Sequence, residues 1–136
     1  MRVCLDTNVL VAAVATRGLC ADVFRTVLAE HELVVGEVIL AELRRVLTTK
    51  FKVPADRVET IEAIFAPFPI LPKPPAPSEM PVRDPSDRWI LATAPAGASD
   101  VLVTGDEDLL AVAEDAPIQI LTPRAFWELL RQRPTD

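Results

Sequence analysis

The sequence has 136 residues, of which 50% are hydrophobic, and a formal net charge of −6 at pH 7. This length and apolar content fit a single globular domain, residues 1–136, that buries a substantial core. The acidic balance argues against broad electrostatic binding of nucleic acid, as in histones or repressors. It does not exclude a nucleic-acid enzyme whose acidic residues hold cations.

Several other classes of protein are disfavoured by the sequence. The apolar runs are shorter than the roughly 18 to 20 residues that cross a bilayer, and Asp6 and Asn8 interrupt what would be the apolar region of a signal peptide. We therefore expect a soluble cytoplasmic protein with no membrane association. Cys4 and Cys20 have no metal-binding spacing and are predicted to be small buried hydrophobes. Because His31 is the only histidine, a multi-histidine metal site is excluded.

Short apolar segments alternate with helical patterns along the chain. Strands are predicted at residues 2–6, 33–35, 69–72, 101–105 and 118–121. Helices are predicted at 7–16, 19–32, 37–51, 54–68, 86–94, 106–114 and 123–133. This alternation, without hairpin turn dipeptides, predicts an α/β fold in which a parallel sheet of about five strands is covered by helices on both faces.

Prolines are concentrated between Pro67 and Pro85. Such a segment is either a polyproline ligand for a partner domain or an extended connection that proline stiffens. We favour the connection, which leads into the helix that begins near Asp87.

Four carboxylates occur at positions where a site could form. Asp6 and Asp106 each follow an apolar strand, at the sheet edge where open parallel sheets bind ligands, whereas Glu42 lies in the third helix and Asp87 in the first turn of another. Taken singly, the aspartates could be helix caps or dipole partners, and Glu42 a solvated charge. Because two of the four end strands on the same edge of the sheet, we favour a shared site.

Carboxylates that converge repel one another, by roughly 4 kcal/mol for two charges about 4 Å apart at an effective dielectric constant near 20. Such a cluster persists by binding a cation or by taking up protons. Oxygen ligands without cysteine or histidine favour Mg²⁺ or Mn²⁺ over Zn²⁺. Thr7, Asn8 and Thr104 are candidates for neutral hydrogen bonds that orient carboxylates or waters.

Four segments, LDTNVLVAA, LAELRRVL, DPSDRWILATA and VLVTGDEDLL, occur in the order and spacing of PIN-domain proteins. Over essentially its whole length the sequence resembles the VapC-like toxin components of bacterial toxin–antitoxin systems. The resemblance implies a three-layer α/β/α fold with a central parallel sheet. It also implies an endoribonuclease that depends on Mg²⁺ or Mn²⁺, an antitoxin as protein partner, and a homodimer.

The matching motifs also imply which residues form the site. The implied catalytic and metal-binding set is Asp6, Glu42, Asp87 and Asp106, with Asp108 as a further candidate ligand and Asn8 and Thr104 as polar support. Asp87 is preferred over Asp84, which is expected to be a turn residue before Pro85. Pro95 departs from the family pattern, and we expect the helix after Asp87 to be short or kinked near Thr93.

Basic residues near these motifs are weak candidates for phosphate contacts, since each taken alone is better explained as a solvated surface charge: Arg44, Arg45, Lys50, Lys52, Arg83 and Arg88. Two alternatives to an RNA-cleaving enzyme remain open. The chain could be a weakly active or inactive PIN domain that serves as a protein-interaction module, or it could be a structure-specific nuclease that acts on DNA.

Overall fold

Five parallel strands form the sheet, in the order β3-β2-β1-β4-β5, in the computed structural model, which describes residues 1–132. The strands are β1 (Arg2–Leu5), β2 (Glu32–Gly36), β3 (Ile70–Leu71), β4 (Val101–Val103) and β5 (Gln119–Leu121). The helices are α1 (Thr7–Ala15), α2 (Leu19–Glu30), α3 (Glu37–Thr49), α4 (Ala55–Ala63), α5 (Asp87–Ala96), α6 (Glu107–Leu110) and α7 (Pro123–Gln132). The predicted α/β/α class with a five-stranded parallel sheet is confirmed.

The central strands are buried, which explains why their sequences are continuously apolar. β1 pairs with β4, with Val3 opposite Val101, and both side chains are fully buried. Cys4 is buried within β1, as predicted. Cys20 is only half-buried because it lies in the first turn of α2, so the prediction of a buried thiol holds for Cys4 alone.

The winding of the chain changes direction at β1. The chain proceeds from β1 to β2 and β3 on one side of the sheet, and then returns to place β4 and β5 on the other side. The carboxyl ends of β1 and β4 therefore form a topological switch point, the usual ligand-binding position in open parallel sheets. Asp6 follows β1 directly, and its N–H donates to the carbonyl of Val103 at 2.9 Å. This hydrogen bond fixes the two strand ends side by side.

The proline-rich segment is an irregular connection without helices or strands between residues 72 and 86. Val82 is buried and anchors the segment in the core. The ammonium group of Lys73 lies 4.2 Å from the centroid of the Trp89 ring, which ties the start of the segment to α5. The segment leads into α5, as the connection hypothesis predicted.

α5 is longer than predicted. It continues beyond the expected stretch of 86–94 to Ala96, and it contains Pro95 in its last turn. Proline removes only its own N–H from the helix, and the next donors resume the pattern, since the N–H of Gly97 donates to the carbonyl of Thr93 at 3.1 Å. The helix therefore does not end near Thr93 but continues three residues beyond it, to Ala96.

α1 and α2 follow each other closely and are strongly angled. Among residues 1–132, no single helix is long and apolar enough to span a membrane. Taken together, α1 and α2 are long and apolar enough, but they are bent by 104° at the break between them.

Gly97 provides a test of the packing between α5 and the sheet. A Cβ atom at this position would overlap Val34 Cγ1 and lie 2.7 Å from Leu71 Cδ1. Because Val34 is buried and branched at Cβ, we expect Gly97→Ala to lower the free energy of unfolding by about 1–3 kcal/mol, measured by urea denaturation. Gly18→Ala is the control, since the nearest atom to its added Cβ lies 4.0 Å away. Equal stability of the two variants would contradict this packing.

Candidate active site

Asp6 is both a helix cap and a link between two strands. Its Oδ1 accepts a hydrogen bond from the N–H of Thr7 at 2.8 Å, which caps α1, while its Oδ2 accepts from the Thr104 hydroxyl at 2.7 Å. Only 4% of Asp6 is exposed. The cap uses one carboxylate oxygen, and the second oxygen is held by a residue that directly follows β4. The cap therefore does not exclude a place in a site.

A chain of hydrogen bonds extends from Asp6 into the turn after β4. The fully buried Thr104 hydroxyl accepts from the N–H of Asp106 at 3.0 Å. Asp106 Oδ1 in turn accepts from the N–H of Asp108 at 2.8 Å and caps the short helix α6. The predicted polar support by Thr104 is thus present as two hydrogen bonds, and these bonds fix Asp106 relative to Asp6.

Asp87 completes a tight group of carboxylates from α5. The group contains one carboxylate oxygen from each of three residues, Asp87, Asp106 and Asp108, and these oxygens all lie within 4.8 Å of one another. Asp87 is 7% exposed, and within residues 1–132 its buried Oδ2 has no hydrogen-bond partner. Asp108, which the motifs gave only as a further candidate, belongs to this tight group.

Asp84 has a different role from Asp87, as predicted. Asp84 is exposed, and its Oδ1 accepts from the N–H of Ser86 at 3.0 Å and from the Ser86 hydroxyl at 2.8 Å. Its carbonyl accepts from the N–H of Asp87 at 3.1 Å. Asp84 therefore forms the turn that starts α5, whereas the Asp87 side chain turns inward.

Glu42 faces the cluster from α3 and is half-buried. It lies outside the tight group, but the charges of Asp84 and Asp106 reach it and act on its pKa. The Thr7 hydroxyl is buried and makes no hydrogen bond of standard geometry within the described residues. It lies close enough to Glu42 to lower the pKa of that carboxyl group. The structure therefore places both Asp6 and Glu42 next to Thr7, and both lie close enough to Asp106 to respond to its charge.

Burial raises the pKa values of the clustered carboxyl groups. Burial raises the pKa of Asp6 to about 6, with smaller increases from the charges of Glu42 and Asp106, although the hydrogen bonds from Thr104 and Thr7 oppose the change. Burial, followed by the charge and close approach of Asp106, also raises the pKa of Asp87. Burial raises the pKa of Glu42, and the nearby charge of Arg45 partly offsets the increase. Without a cation, the cluster relieves its repulsion by binding protons.

The donor set fits a hard divalent cation. All of the clustered ligand atoms are carboxylate oxygens, and the buried Oδ2 of Asp87 lacks a hydrogen-bond donor. A buried carboxylate oxygen without a partner is costly, and either a proton or a cation removes that cost. Asp87, Asp106 and Asp108 are the residues whose spacing would allow them to hold the ion directly.

The remaining predicted polar residue, Asn8, does not join the cluster. Asn8 is exposed, and its side-chain nitrogen lies near Gly105, 3.8 Å from where a Cβ would be. No hydrogen bond from Asn8 to the carboxylates is found within residues 1–132. Asn8 therefore lies at the rim, between the end of β4 and the start of α1.

The predicted basic residues are divided among different surroundings. Arg44 forms an ion pair with Glu62 on α4. Arg83 Nε lies 3.5 Å from Asp108 Oδ1, so this exposed arginine reaches the edge of the cluster. Arg88 is partly buried and donates at 3.5 Å to the backbone of the connection before α5. Of the candidates for phosphate contact, these three therefore already have partners within the protein.

Arg45 and Lys50 are placed differently, because they line a groove that also contains Glu42. Phe51 lies in the same groove, and sequence reasoning overlooked it. The available signal was local: Phe51 is a large apolar residue between Lys50 and Lys52 at the end of a helical pattern, where no core position was expected.

The raised pKa of Asp6 predicts the pH dependence of stability in the presence of a chelator. A carboxyl group with a higher pKa in the folded state stabilises the fold when protonated, and this contribution is lost as the pH rises through the folded pKa. For Asp6, whose pKa rises from 3.8 to about 6, we expect the free energy of unfolding to fall by about 3 kcal/mol between about pH 4 and pH 7. Asp6→Asn should remove this part of the fall, measured by urea denaturation at a series of pH values.

The matched control for this pH experiment is Asp84→Asn. Hydrogen bonds from Ser86 lower the pKa of the exposed Asp84, so its replacement should leave the fall between pH 4 and pH 7 unchanged. An identical pH profile for Asp6→Asn and the parent protein would contradict the raised pKa of Asp6.

Comparisons with known proteins bear on the fold and on the family. A family model described as "PIN domain" matches residues 2–108. No curated protein gives a significant match. A chain from the crystal structure of VapBC2 from Rickettsia felis, bound to a DNA fragment from their promoter, has a similar fold, with a TM-score of 0.62, 18% sequence identity, and coverage of 89% of this chain and 97% of that chain. The family match spans most of the chain and includes the five carboxylates described above, Asp6, Glu42, Asp87, Asp106 and Asp108. The chain therefore belongs to the PIN domain family, as the sequence resemblance predicted.

Proposed function

We propose that the protein is an endoribonuclease that hydrolyses RNA phosphodiester bonds with the help of Mg²⁺ or Mn²⁺, and that it is the toxin of a type II toxin–antitoxin pair. The observation that carries the proposal is the unpartnered, buried Oδ2 of Asp87, which lies beside Asp106 and Asp108 at the switch point of the sheet. A carboxylate in this position is best satisfied by a cation, and the family assignment supports a nuclease.

The cluster has a buried floor and a more exposed rim. Asp6 and Asp87 are buried, whereas Glu42, Asp106 and Asp108 are partly accessible to solvent. This gradient supports a site in which the buried carboxylates keep the arrangement rigid and a phosphate approaches over the accessible ones.

Each side chain has a proposed role. Asp87, Asp106 and Asp108 hold the cation, and Asp6 is positioned to contribute directly or through water. When bound, the cation supplies Lewis-acid stabilisation of the phosphate charge and makes a water more acidic. Glu42 faces the cluster from α3 and orients the attacking water, whose proton it can accept.

The proposed partners follow from the same comparisons. The similar chain from Rickettsia felis was crystallised as part of VapBC2 with promoter DNA. By analogy with that complex, we propose a cognate antitoxin as the protein partner of this chain. We also propose that the chain forms a homodimer and acts in the cytoplasm, as the family resemblance implies.

Cleavage of RNA by variants of Asp87 and Asp6 tests the catalytic assignment. We expect Asp87→Asn to lower the rate of Mn²⁺-dependent cleavage of single-stranded RNA by at least about 100-fold, because it removes a ligand at the centre of the cluster. Asp6→Asn should likewise abolish cleavage while the fold is retained. Initial rates on a fluorescently labelled RNA provide the measurement, and circular dichroism checks the fold.

Asp84→Asn is the control for cleavage, since Asp84 lies three residues from Asp87 but is exposed, and its Oδ1 accepts the two hydrogen bonds from Ser86 that form the turn. It should keep a rate within a few-fold of the parent. Undiminished cleavage by Asp87→Asn, or equal losses in both variants, would refute the proposed roles.

Thermal stability tests cation binding independently of activity. A ligand at 100 times its dissociation constant stabilises the folded state by about 2.7 kcal/mol, so Mn²⁺ should raise the Tm of the parent by several degrees. The rise should be lost in Asp87→Asn and kept in Asp84→Asn. An unchanged Tm of the parent at millimolar Mn²⁺ would favour the inactive interaction module over the enzyme.

A further inference from the structure

A groove of about 520 Å³ opens beside the acidic cluster, between α1 and α3. Thr7 and Glu42 line it where it meets the cluster, and the groove continues past Arg45 to Lys50 and Phe51. Val11, Ala12 and Val46 give it a largely apolar floor. The groove is therefore continuous with the proposed site of cleavage.

The two neighbouring arginines of α3 lie in different surroundings. Arg44 forms an ion pair with Glu62, on the side of α3 that faces α4. Arg45 points into the groove instead, and neither Arg45 nor Lys50 takes part in an ion pair within residues 1–132. Positions 42, 45, 46 and 50 recur at helical spacing, so the two cations follow Glu42 along one side of α3.

Phe51 presents an aromatic surface at the far part of the groove. Its relative exposure is 50%, more than that of Ile64 or Ile70, the other exposed large hydrophobic residues in the described part of the chain. The Lys50 ammonium group lies 5.7 Å from the centroid of the Phe51 ring. An exposed ring beside a cation is the arrangement with which proteins stack unpaired bases and contact their phosphates.

The backbone after α3 holds Phe51 in this place. Its N–H donates to the carbonyl of Val46 at 3.2 Å, and the N–H of Val53 donates to that of Leu47 at 2.9 Å. Between them, Lys52 has a φ of 51°, in the left-handed region that favours glycine. A lysine in this conformation costs about 1 kcal/mol or more, yet the two hydrogen bonds fix the turn. The ring is therefore presented on an ordered turn and not on a loose loop.

We infer that this groove is a subsite for single-stranded RNA, in which phosphates lie against Arg45 and Lys50 and an unpaired base stacks on Phe51. The inference rests on the proposed function, since it extends the substrate away from the acidic cluster. From Glu42 to Thr49, where α3 ends, the helix rises about 10 Å, at about 1.5 Å per residue, and Phe51 follows in the next turn. About three stacked nucleotides cover the helical part of that distance at about 3.4 Å each.

RNA is a better occupant than a peptide of the antitoxin for two reasons. The groove leads directly to the carboxylates proposed to cleave a phosphodiester, and its two cations without ion pairs complement a polyanion. A base-paired duplex does not fit the inference, because stacking on the ring requires an unpaired base.

Binding of a labelled single-stranded oligoribonucleotide tests the subsite. Asp6→Asn serves as the parent protein in the presence of Mn²⁺, so that binding is measured by fluorescence anisotropy without cleavage. We expect Phe51→Ala to raise the Kd about 5- to 100-fold and Phe51→Trp to restore binding. Ile64→Ala is the control, because it removes an exposed apolar side chain outside the groove. The same RNA as a duplex should bind equally weakly to the parent protein and to Phe51→Ala.

The two arginines distinguish a phosphate contact from a general effect of charge. Arg45→Ala should reduce the slope of log Kd against log salt concentration by about 0.7, the value for one phosphate contact on a single strand. Arg44→Ala removes the same charge from the other side of α3 and should leave the slope unchanged.

The outcomes separate this inference from the proposed function. If Phe51→Ala and Arg45→Ala bind the single strand like the parent, the subsite is wrong, even if cleavage depends on Asp87. If both weaken binding as expected but the wild-type protein cleaves no RNA, the subsite stands and the nuclease assignment fails. If the two substitutions weaken only the binding of a partner protein, the groove serves a peptide and the inference is overturned.

Discussion

The Thr104 hydroxyl joins the two halves of the site. It donates to Asp6, which follows β1, and accepts from the backbone of Asp106, which follows β4. A hydroxyl can do both at once because it carries one donor hydrogen and two acceptor lone pairs. Valine would fill the same space without either hydrogen bond, and it would leave the Asp6 oxygen and the Asp106 N–H buried or half-buried without this partner. The relative position of the Asp6 and Asp106 side chains therefore depends on this fully buried hydroxyl, in addition to the pairing of β1 with β4.

The fold alone does not neutralise the negative charge of the clustered carboxylates. Burial dominates the raised pKa values of Asp6 and Asp87, and mutual repulsion adds to it. Strands β1 and β4 can hold these repelling carboxylates because each lies inside the sheet, between two neighbouring strands. Hydrogen bonds through Thr104 hold Asp6 and Asp106 in place. The cluster therefore relieves its repulsion by binding a proton or a cation.

The sequence predicted those parts of the site that depend on local order. Asp6 follows β1 directly and Asp106 comes three residues after the end of β4, so a parallel sheet was enough to place them on one edge. Asp87 and Glu42 lie on helices, whose positions around the sheet do not follow from periodicity. They were candidates from the residues alone, and the motif resemblance then implied their place in the site. α5 ends two residues later than predicted because the effect of Pro95 on a helix depends on the turn in which it lies. In the last turn of α5 only one donor is lost, and Gly97 restores the hydrogen-bond pattern.

Adjacent identical residues mark the limit of sequence reasoning here. Arg44 and Arg45 are equivalent by composition and by charge, and they differ only because α4 packs against one side of α3 and brings Glu62 to Arg44. That packing neutralises one arginine and leaves the other facing the groove. This packing also explains how a protein of net charge −6 could bind a polyanion such as RNA in the groove. Screening limits the reach of exposed charges to about 8–10 Å, so a phosphate at the Lys50 end of the groove, away from Glu42, responds to Arg45 and Lys50 more than to the acidic residues elsewhere on the surface. The sign of the local field near α3, not the net charge of the chain, decides which ligands the groove can accept.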